Sequence, residues 1–292
     1  MQRTSHHYLQ VDVFADRPGA GNPLGVVMDA AGWTTARMQA FAAWTNLSET
    51  IFFLPPTLPD ASYRIRIFTP RQELPFAGHP SVGAAWVALE SGRVADAAML
   101  VQECAAGLLP VRVEGTGAQR VIRLRAPRAR HVEAIASAHA VQAVATGLPT
   151  AGLPPALWNN GPSWWLVELS DAAAVRSLVP DLAAIAALTK TTDAVGLAVF
   201  GRSPSGSDHE LAVRAFCPAD NIPEDPVTGS VNACIAAALH AAGALPGHDG
   251  HYTTSQGREL GRDGRVALQV DADDEVWIGG QVQLVIDGQV TW

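Results

Sequence analysis

The chain has 292 residues, 48% of them hydrophobic and 16% charged, enough apolar material for one large domain or two medium ones, and this excludes disordered, collagen-like and disulfide-scaffold classes. A net charge of −8 without any Lys/Arg run removes the electrostatic footprint that nucleic acid or an anionic membrane surface requires, leaving small molecules as the expected partners. Cys104, Cys217 and Cys234 are scattered without a CxxC pair, so neither a disulfide framework nor a zinc knuckle is expected and a reducing compartment fits.

In chain order, residues 1–10 hold His6, His7 and Tyr8 where a signal peptide needs an apolar run. Residues 8–14 alternate as a strand, the Pro/Gly/Asn run 18–23 turns the chain, and 24–28 return, a hairpin-like pair. Gly19-Ala20-Gly21-Asn22-Pro23-Leu24 opens like a dinucleotide fingerprint. It lacks the third glycine and runs into a strand where that turn demands a helix, so nicotinamide and flavin binding through it are set aside. Residues 34–45 read as a helix with Met38, Phe41 and Ala42 on one face. Residues 50–54 and 63–68 read as strands, and 80–90 as a second helix opened by Pro80 and followed by Gly92. Further strands are expected at 111–113 and 121–124, then an Ala/Pro/Gly-rich stretch, 127–153, that predicts a boundary plus one helix.

Trp164-Trp165 read as core or interface packing. The only lysine, Lys190, lies in Leu188-Thr189-Lys190-Thr191 with neither a Schiff-base nor a phosphate-loop context, which argues against pyridoxal phosphate and P-loop chemistry. The longest apolar stretch, 231–245, is broken by Asn232 and His240 and falls short of the ~20 residues that cross a bilayer. His248-x-x-His251 has ligand-like spacing but sits in a Gly/Asp loop without a third ligand and reads as a solvated turn. A cytoplasmic protein without membrane contact is expected.

The chain also repeats itself. Arg66-Ile67-Phe68-Thr69-Pro70 recurs as Arg214-Ala215-Phe216-Cys217-Pro218 at an offset of 148. His79-Pro80-Ser81-Val82-Gly83 matches Asp225-Pro226-Val227-Thr228-Gly229 at an offset of 146, implying a second-half connection two residues shorter. Each copy leads into an Ala-rich apolar helix, so two similar α/β halves are expected. If they face each other, the helix amino termini offer free N–H groups and partial positive charge to a ligand carboxylate or phosphate. Gly78, Gly83 and Gly229 would allow close backbone approach. On this alignment His79 and Asp225 are equivalent, one per half, as moving a proton on a substrate between two walls would require. Alone, Asp225 before Pro226 reads as a helix cap, and a lone His79 as a structural histidine.

Five segments together resemble the phenazine-biosynthesis (PhzF-like) isomerase family over nearly the whole chain. They are Gly21-Asn22-Pro23, Asn46-Leu47-Ser48-Glu49-Thr50, Phe68-Thr69-Pro70 with Pro75-Phe76-Ala77-Gly78-His79-Pro80, Glu224-Asp225-Pro226-Val227-Thr228-Gly229-Ser230, and Gln256-Gly257-Arg258-Glu259-Leu260-Gly261-Arg262. The resemblance implies the diaminopimelate epimerase fold, two pseudo-symmetric α/β halves, each a curved mixed sheet around a central helix, with the active site in the cleft between them. The halves are expected at 1–128, joined by a final strand 281–292, and at 129–280. Two-thiol racemase chemistry is rejected, since no cysteine lies at the turns holding His79 and Asp225.

The resemblance nominates Glu49 as general acid/base, with His79 and Asp225 as catalytic partners and Ser48, Gly78, Gly229 and Ser230 binding substrate. It implies proton transfer between carbons of a trans-2,3-dihydro-3-hydroxyanthranilate-like carboxylate, with no cofactor or metal, in a homodimer. The alternatives are an epimerase or isomerase of another amino-acid-like substrate, or a non-catalytic small-molecule or partner-binding protein on the same fold. Two departures from the family pattern stand out. Ala43-Trp44-Thr45 replaces an Arg-Glu pair, and Asn221 replaces a glycine that its tolerance of positive φ can stand in for.

Overall fold

Strand β1 (Ser5–Val13) turns Leu9, Val11 and Val13 to one buried face, as the period of two in a pleated strand dictates. It opens a computed structural model that describes residues 5–133, 141 and 147–292. Contacts divide the chain into two units, Met1–Arg125 with Gly279–Trp292, and Ala126–Ile278.

In the first unit, β2 (Asn22–Val27) pairs antiparallel with β1, and helix α1 (Thr35–Thr45) carries the chain to β3 (Glu49–Leu54), parallel to β2. β4 (Tyr63–Phe68) returns antiparallel, and β5 (Glu73–Leu74) folds back on it. Helix α2 (Gly78–Glu90) then crosses to β6 (Met99–Cys104), parallel to β4, followed antiparallel by β7 (Gly107–Glu114) and β8 (Val121–Arg125). The carboxyl-terminal strand Val282–Thr291 lies antiparallel on the free side of β1. The sheet curves around α2, which packs against β1, β2, β3, β4, β6 and β8 and buries ten of its 13 residues. Its Ala/Gly/Val composition suits a helix covered on all sides. Gly83 serves this packing: a Cβ there would lie 2.5 Å from Leu24 Cδ2 and 3.0 Å from Val13 Cγ2.

The second unit repeats the plan. β9 (Arg130–Val132) flanks β10 (Ala156–Asn159), which pairs antiparallel with β11 (Ser163–Glu168). Helices α3 (Ala172–Ser177) and α4 (Leu182–Thr192) lead to β12 (Gly196–Arg202), parallel to β11. β13 (Leu211–Cys217) returns antiparallel, β14 (Ile222–Asp225) folds back on it, and helix α5 (Gly229–Ala241) crosses to β15 (His251–Gln256), parallel to β13. β16 (Gly264–Val270) follows antiparallel. From β1 to β7 and from β10 to β16 the sequence of antiparallel and parallel pairings is the same. Among the described residues no helix is long and apolar enough to cross a membrane.

The repeated Arg-x-Phe has a shared physical role. Arg66 forks onto Glu73 with bonds of 2.7 and 2.6 Å and lies 5.1 Å from the Phe68 ring centroid; Arg214 forks onto Glu224, both bonds 2.9 Å, and lies 5.0 Å from Phe216. Each ion pair staples the long strand to its short return.

One expectation is corrected. Both central helices begin at a glycine, Gly78 and Gly229, with three residues separating each from the end of the return strand at Leu74 and Asp225. The structure therefore matches Pro75-Phe76-Ala77-Gly78-His79 with Pro226-Val227-Thr228-Gly229-Ser230, and the second-half connection is three residues longer, not two shorter. His79 is equivalent to Ser230, and Asp225 to Leu74. The misalignment arises because Pro-x-x-Gly occurs twice around the start of α2, at Pro75–Gly78 and at Pro80–Gly83. Nor is Asp225 the cap of α5: Thr228 holds that position. Pro80 is the third residue of α2, not its first. Most of the helix expected within 127–153 lies outside the described residues.

Candidate active site

Glu49 is placed by two sequence-distant turns that lock together. Helix α1 ends on Asn46, whose left-handed conformation (φ 52°) lets its N–H cap the Ala42 carbonyl before the chain reverses. Two residues on, Ser48 Oγ donates to Asn22 Oδ1 at 3.3 Å. Asn22 is buried at the start of β2, where Gly21 has no room for a side chain: its Cβ would lie 2.3 Å from the Val13 carbonyl oxygen. Gly21-Asn22 and Asn46–Thr50 are thus one structural unit, and they set Glu49 at the first position of β3, paired with Leu24.

His79, second residue of α2, brings Nε2 to 3.4 Å from Glu49 Oε2, with side chains only 8% and 17% exposed. Burial pushes the His79 pKa down to about 3, so at neutral pH the imidazole is uncharged. The first half therefore presents a sheltered carboxyl against a neutral imidazole.

The second half is chemically different. Asp225, partly exposed at the end of β14, has its carboxyl pKa pushed up to about 6 by burial, with the neighbouring Glu224 charge adding to the rise and a 2.5 Å hydrogen bond from the Thr228 hydroxyl opposing it. Gln256 at the end of β15 is wholly buried and bonded to the Asp225–Thr228 turn. The next residue, Gly257, has φ 94° and would place a Cβ 2.5 Å from the Pro226 carbonyl oxygen. Gly78 and Gly229 open their helices, and first-turn N–H groups have no intrahelical acceptor and favour an anion. Ser230 Oγ accepts from the Trp164 indole N–H at 3.1 Å, and the Asn160 side chain donates to the Ser230 carbonyl at 3.0 Å.

Strand register makes the asymmetry explicit. Leu24 pairs with Glu49 in the first half and Trp164 with Gly196 in the second. Where one half has a carboxylate, the other has a glycine, whose Cβ would meet the Trp164 ring at 2.4 Å. Of the sequence-predicted residues, the structure brings Glu49 to His79 in the first unit, with Ser48 and Gly78 on the same two turns. In the second unit it gathers Asp225, Gly229 and Ser230 around one turn. Sequence reasoning missed Gln256, Thr228 and the polar role of Trp164. The signal for Gln256 was present in Gln256-Gly257, quoted as a motif but given no task. Asn221 has φ 62°, as the glycine it replaces would allow.

A family model described as phenazine biosynthesis-like protein matches residues 11–288. The chain belongs to this family. It is 34% identical over 273 residues to the trans-2,3-dihydro-3-hydroxyanthranilate isomerase of Pseudomonas aeruginosa, spanning 92% of each chain. It is 33% identical over 296 residues to antisense-enhancing sequence 1 of Schizosaccharomyces pombe, spanning 98% of this chain and 99% of that one. Among solved structures, a predicted epimerase from Pseudomonas aeruginosa aligns with a TM-score of 0.79 at 30% identity, covering 98% of this chain and 99% of the other. A PhzF-family protein from Bacillus anthracis aligns with a TM-score of 0.83 at 24% identity, covering 99% and 100%. Membership of the PhzF family places the chain among isomerases.

Proposed function

We propose that this PhzF-family isomerase moves a proton between carbons of a small carboxylate-bearing substrate, trans-2,3-dihydro-3-hydroxyanthranilate or a close analogue, without a cofactor, and that Glu49 is the general acid/base. The observation that carries the reading is the sheltered Glu49 carboxyl 3.4 Å from His79, an imidazole that burial keeps neutral. A carboxyl that takes a proton from carbon must be basic, and an imidazolium at that distance would lower its pKa and blunt it. A neutral His79 can instead hydrogen-bond Glu49 or the substrate in either direction without placing a positive charge beside the carboxyl. In this reading the proton leaves one carbon for Glu49, the electron pair delocalises over the substrate, and Glu49 returns a proton to another carbon. No electrons are gained or lost overall.

Asp225 serves the same substrate by hydrogen-bonding a polar group on it. The first-turn amides at Gly78, Gly229 and Ser230 take its carboxylate, and Ser48, oriented by Asn22, completes the binding set. A cytoplasmic homodimer belongs to the same reading, and light scattering tests the dimer. The deciding experiment is incubation in D2O with trans-2,3-dihydro-3-hydroxyanthranilate, product followed by absorbance and deuterium by mass spectrometry, with Glu49→Gln as control. Turnover abolished in the variant is the expected result. Absence of both turnover and deuterium exchange by folded wild-type protein would sink this substrate.

A further inference from the structure

Gln256 closes β15 and makes four hydrogen bonds through its side-chain amide. Oε1 accepts from the Thr228 backbone N–H at 3.0 Å and from Asn232 Nδ2 at 3.1 Å, while Nε2 donates to the Asp225 carbonyl at 3.0 Å and to Thr228 Oγ1 at 2.9 Å. A primary amide offers two donors and two acceptor lone pairs, so its capacity is filled. The amide cannot be turned over, because the Thr228 N–H demands an acceptor and the Asp225 carbonyl a donor.

The consequence falls on Thr228. Its oxygen receives the Gln256 N–H, so its own proton goes to Asp225 Oδ2, 2.5 Å away. Oδ2 is thereby committed as an acceptor, and Oδ1 is left as the oxygen that carries and exchanges the proton of the acid. Such chains polarise one another in a low-dielectric interior.

We propose that Gln256 is a positioning residue: acting through the Thr228 hydroxyl, it fixes which oxygen of Asp225 accepts and which exchanges a proton. The relevance to turnover rests on the reading of Asp225 as a substrate-binding acid. Among the described residues the first half shows no such relay. Register aligns Cys104, last residue of β6, with Gln256, and Leu74 stands in place of Asp225. The other ionisable group acting on Asp225 is Glu224, held by Arg214; the nearby Cys217 thiol of β13 is pushed up into the neutral state by burial, with the Asp225 and Asp220 charges adding to the rise. None of these is a hydrogen-bond partner of Gln256.

The test is a carboxyl 13C NMR titration of Asp225, assigned with Asp225→Asn. Wild-type protein is expected to titrate near 6. Loss of the hydroxyl donor in Thr228→Val should raise the midpoint by about one unit, a tenfold weaker acid. Gln256→Leu should raise it similarly, the double variant should go no further, and Thr228→Ser should titrate like wild type. In the wild type, the Gln256 side-chain amide resonances should move with the Asp225 midpoint, a reading that stands even if Gln256→Leu does not fold. Unshifted titration in folded Gln256→Leu, additive shifts in the double variant, or amide resonances that ignore the Asp225 midpoint would each overturn the proposal. None of these measurements needs a substrate, so failure of the isomerase reading shows up separately, in the D2O assay.

Discussion

At the scale of single residues, two ionisable groups, His79 in the first unit and Asp225 in the second, pull stability in opposite directions with pH. His79 has a folded pKa near 3 against 6.5 for the free side chain, so its contribution is full above 6.5 and is lost as pH falls toward 3. Asp225 has a folded pKa near 6 against 3.8, so its contribution is full below 3.8 and is lost as pH rises to 6. Between about 4 and 6 the two slopes, each about 1.4 kcal/mol per pH unit at most, oppose and largely cancel. Asp225→Asn should therefore make stability fall on acidification across that window, and His79→Asn should make it rise. Urea titrations at pH 4, 5 and 6 check the signs. Glu49→Gln should lower kcat by about 10²–10⁴-fold with ligand affinity retained, the loss typical of removing a general acid/base, as measured by turnover and calorimetry. Glu49 and His79 were legible because whole motifs surround them. What could not be read was that Asn22, 26 residues before Ser48, holds the Glu49 turn: that contact depends on β2 and β3 lying parallel, a tertiary fact.

At the scale of elements, the two Arg–Glu staples look alike in sequence and differ in burial. The Arg214 and Glu224 side chains are 6% and 8% exposed, against 22% and 30% for Arg66 and Glu73. Glu224→Gln takes the forked carboxylate from a buried guanidinium and leaves it only the looser Glu259 carboxylate, 3.8 Å from Nε, so it should cost about 3 kcal/mol in a urea titration, while Glu73→Gln should cost about 1 kcal/mol or less. Gly257→Ala meets both a left-handed backbone and the Pro226 carbonyl, and it should lower Tm measurably and disturb the Asp225 turn. The α1 start was readable because Thr34 is a side-chain cap, its oxygen accepting from the Arg37 N–H at 3.2 Å. The start of α2 was not, since Ala77 makes no side-chain cap bond and Pro80 offered a false first position. The duplication was legible from Arg-x-Phe, where side-chain chemistry is repeated, but its phase was lost at the helix turn, where only backbone shape is repeated.

At the scale of the whole molecule, β1 is the hinge of the first unit's order: β2 flanks it on one side and Val282–Thr291 on the other, Ser5 pairing with Thr291. A chain stopped at Gly280 should lose hydrogen-exchange protection along β1, because half its ladder bonds would be gone; protection equal to that of the full chain would contradict this. The same pairing sets a timetable for synthesis. The strands that precede residue 126 leave the ribosome first, yet their sheet lacks its last member until residues 282–291 emerge, after the second unit has been made. At about 5–20 residues per second, the edge of β1 waits roughly 10–30 s without its partner. During translation the nascent chain thus carries an open, apolar strand edge of the kind that recruits chaperones or other chains, and a slower passage through codons 126–278 prolongs that exposure.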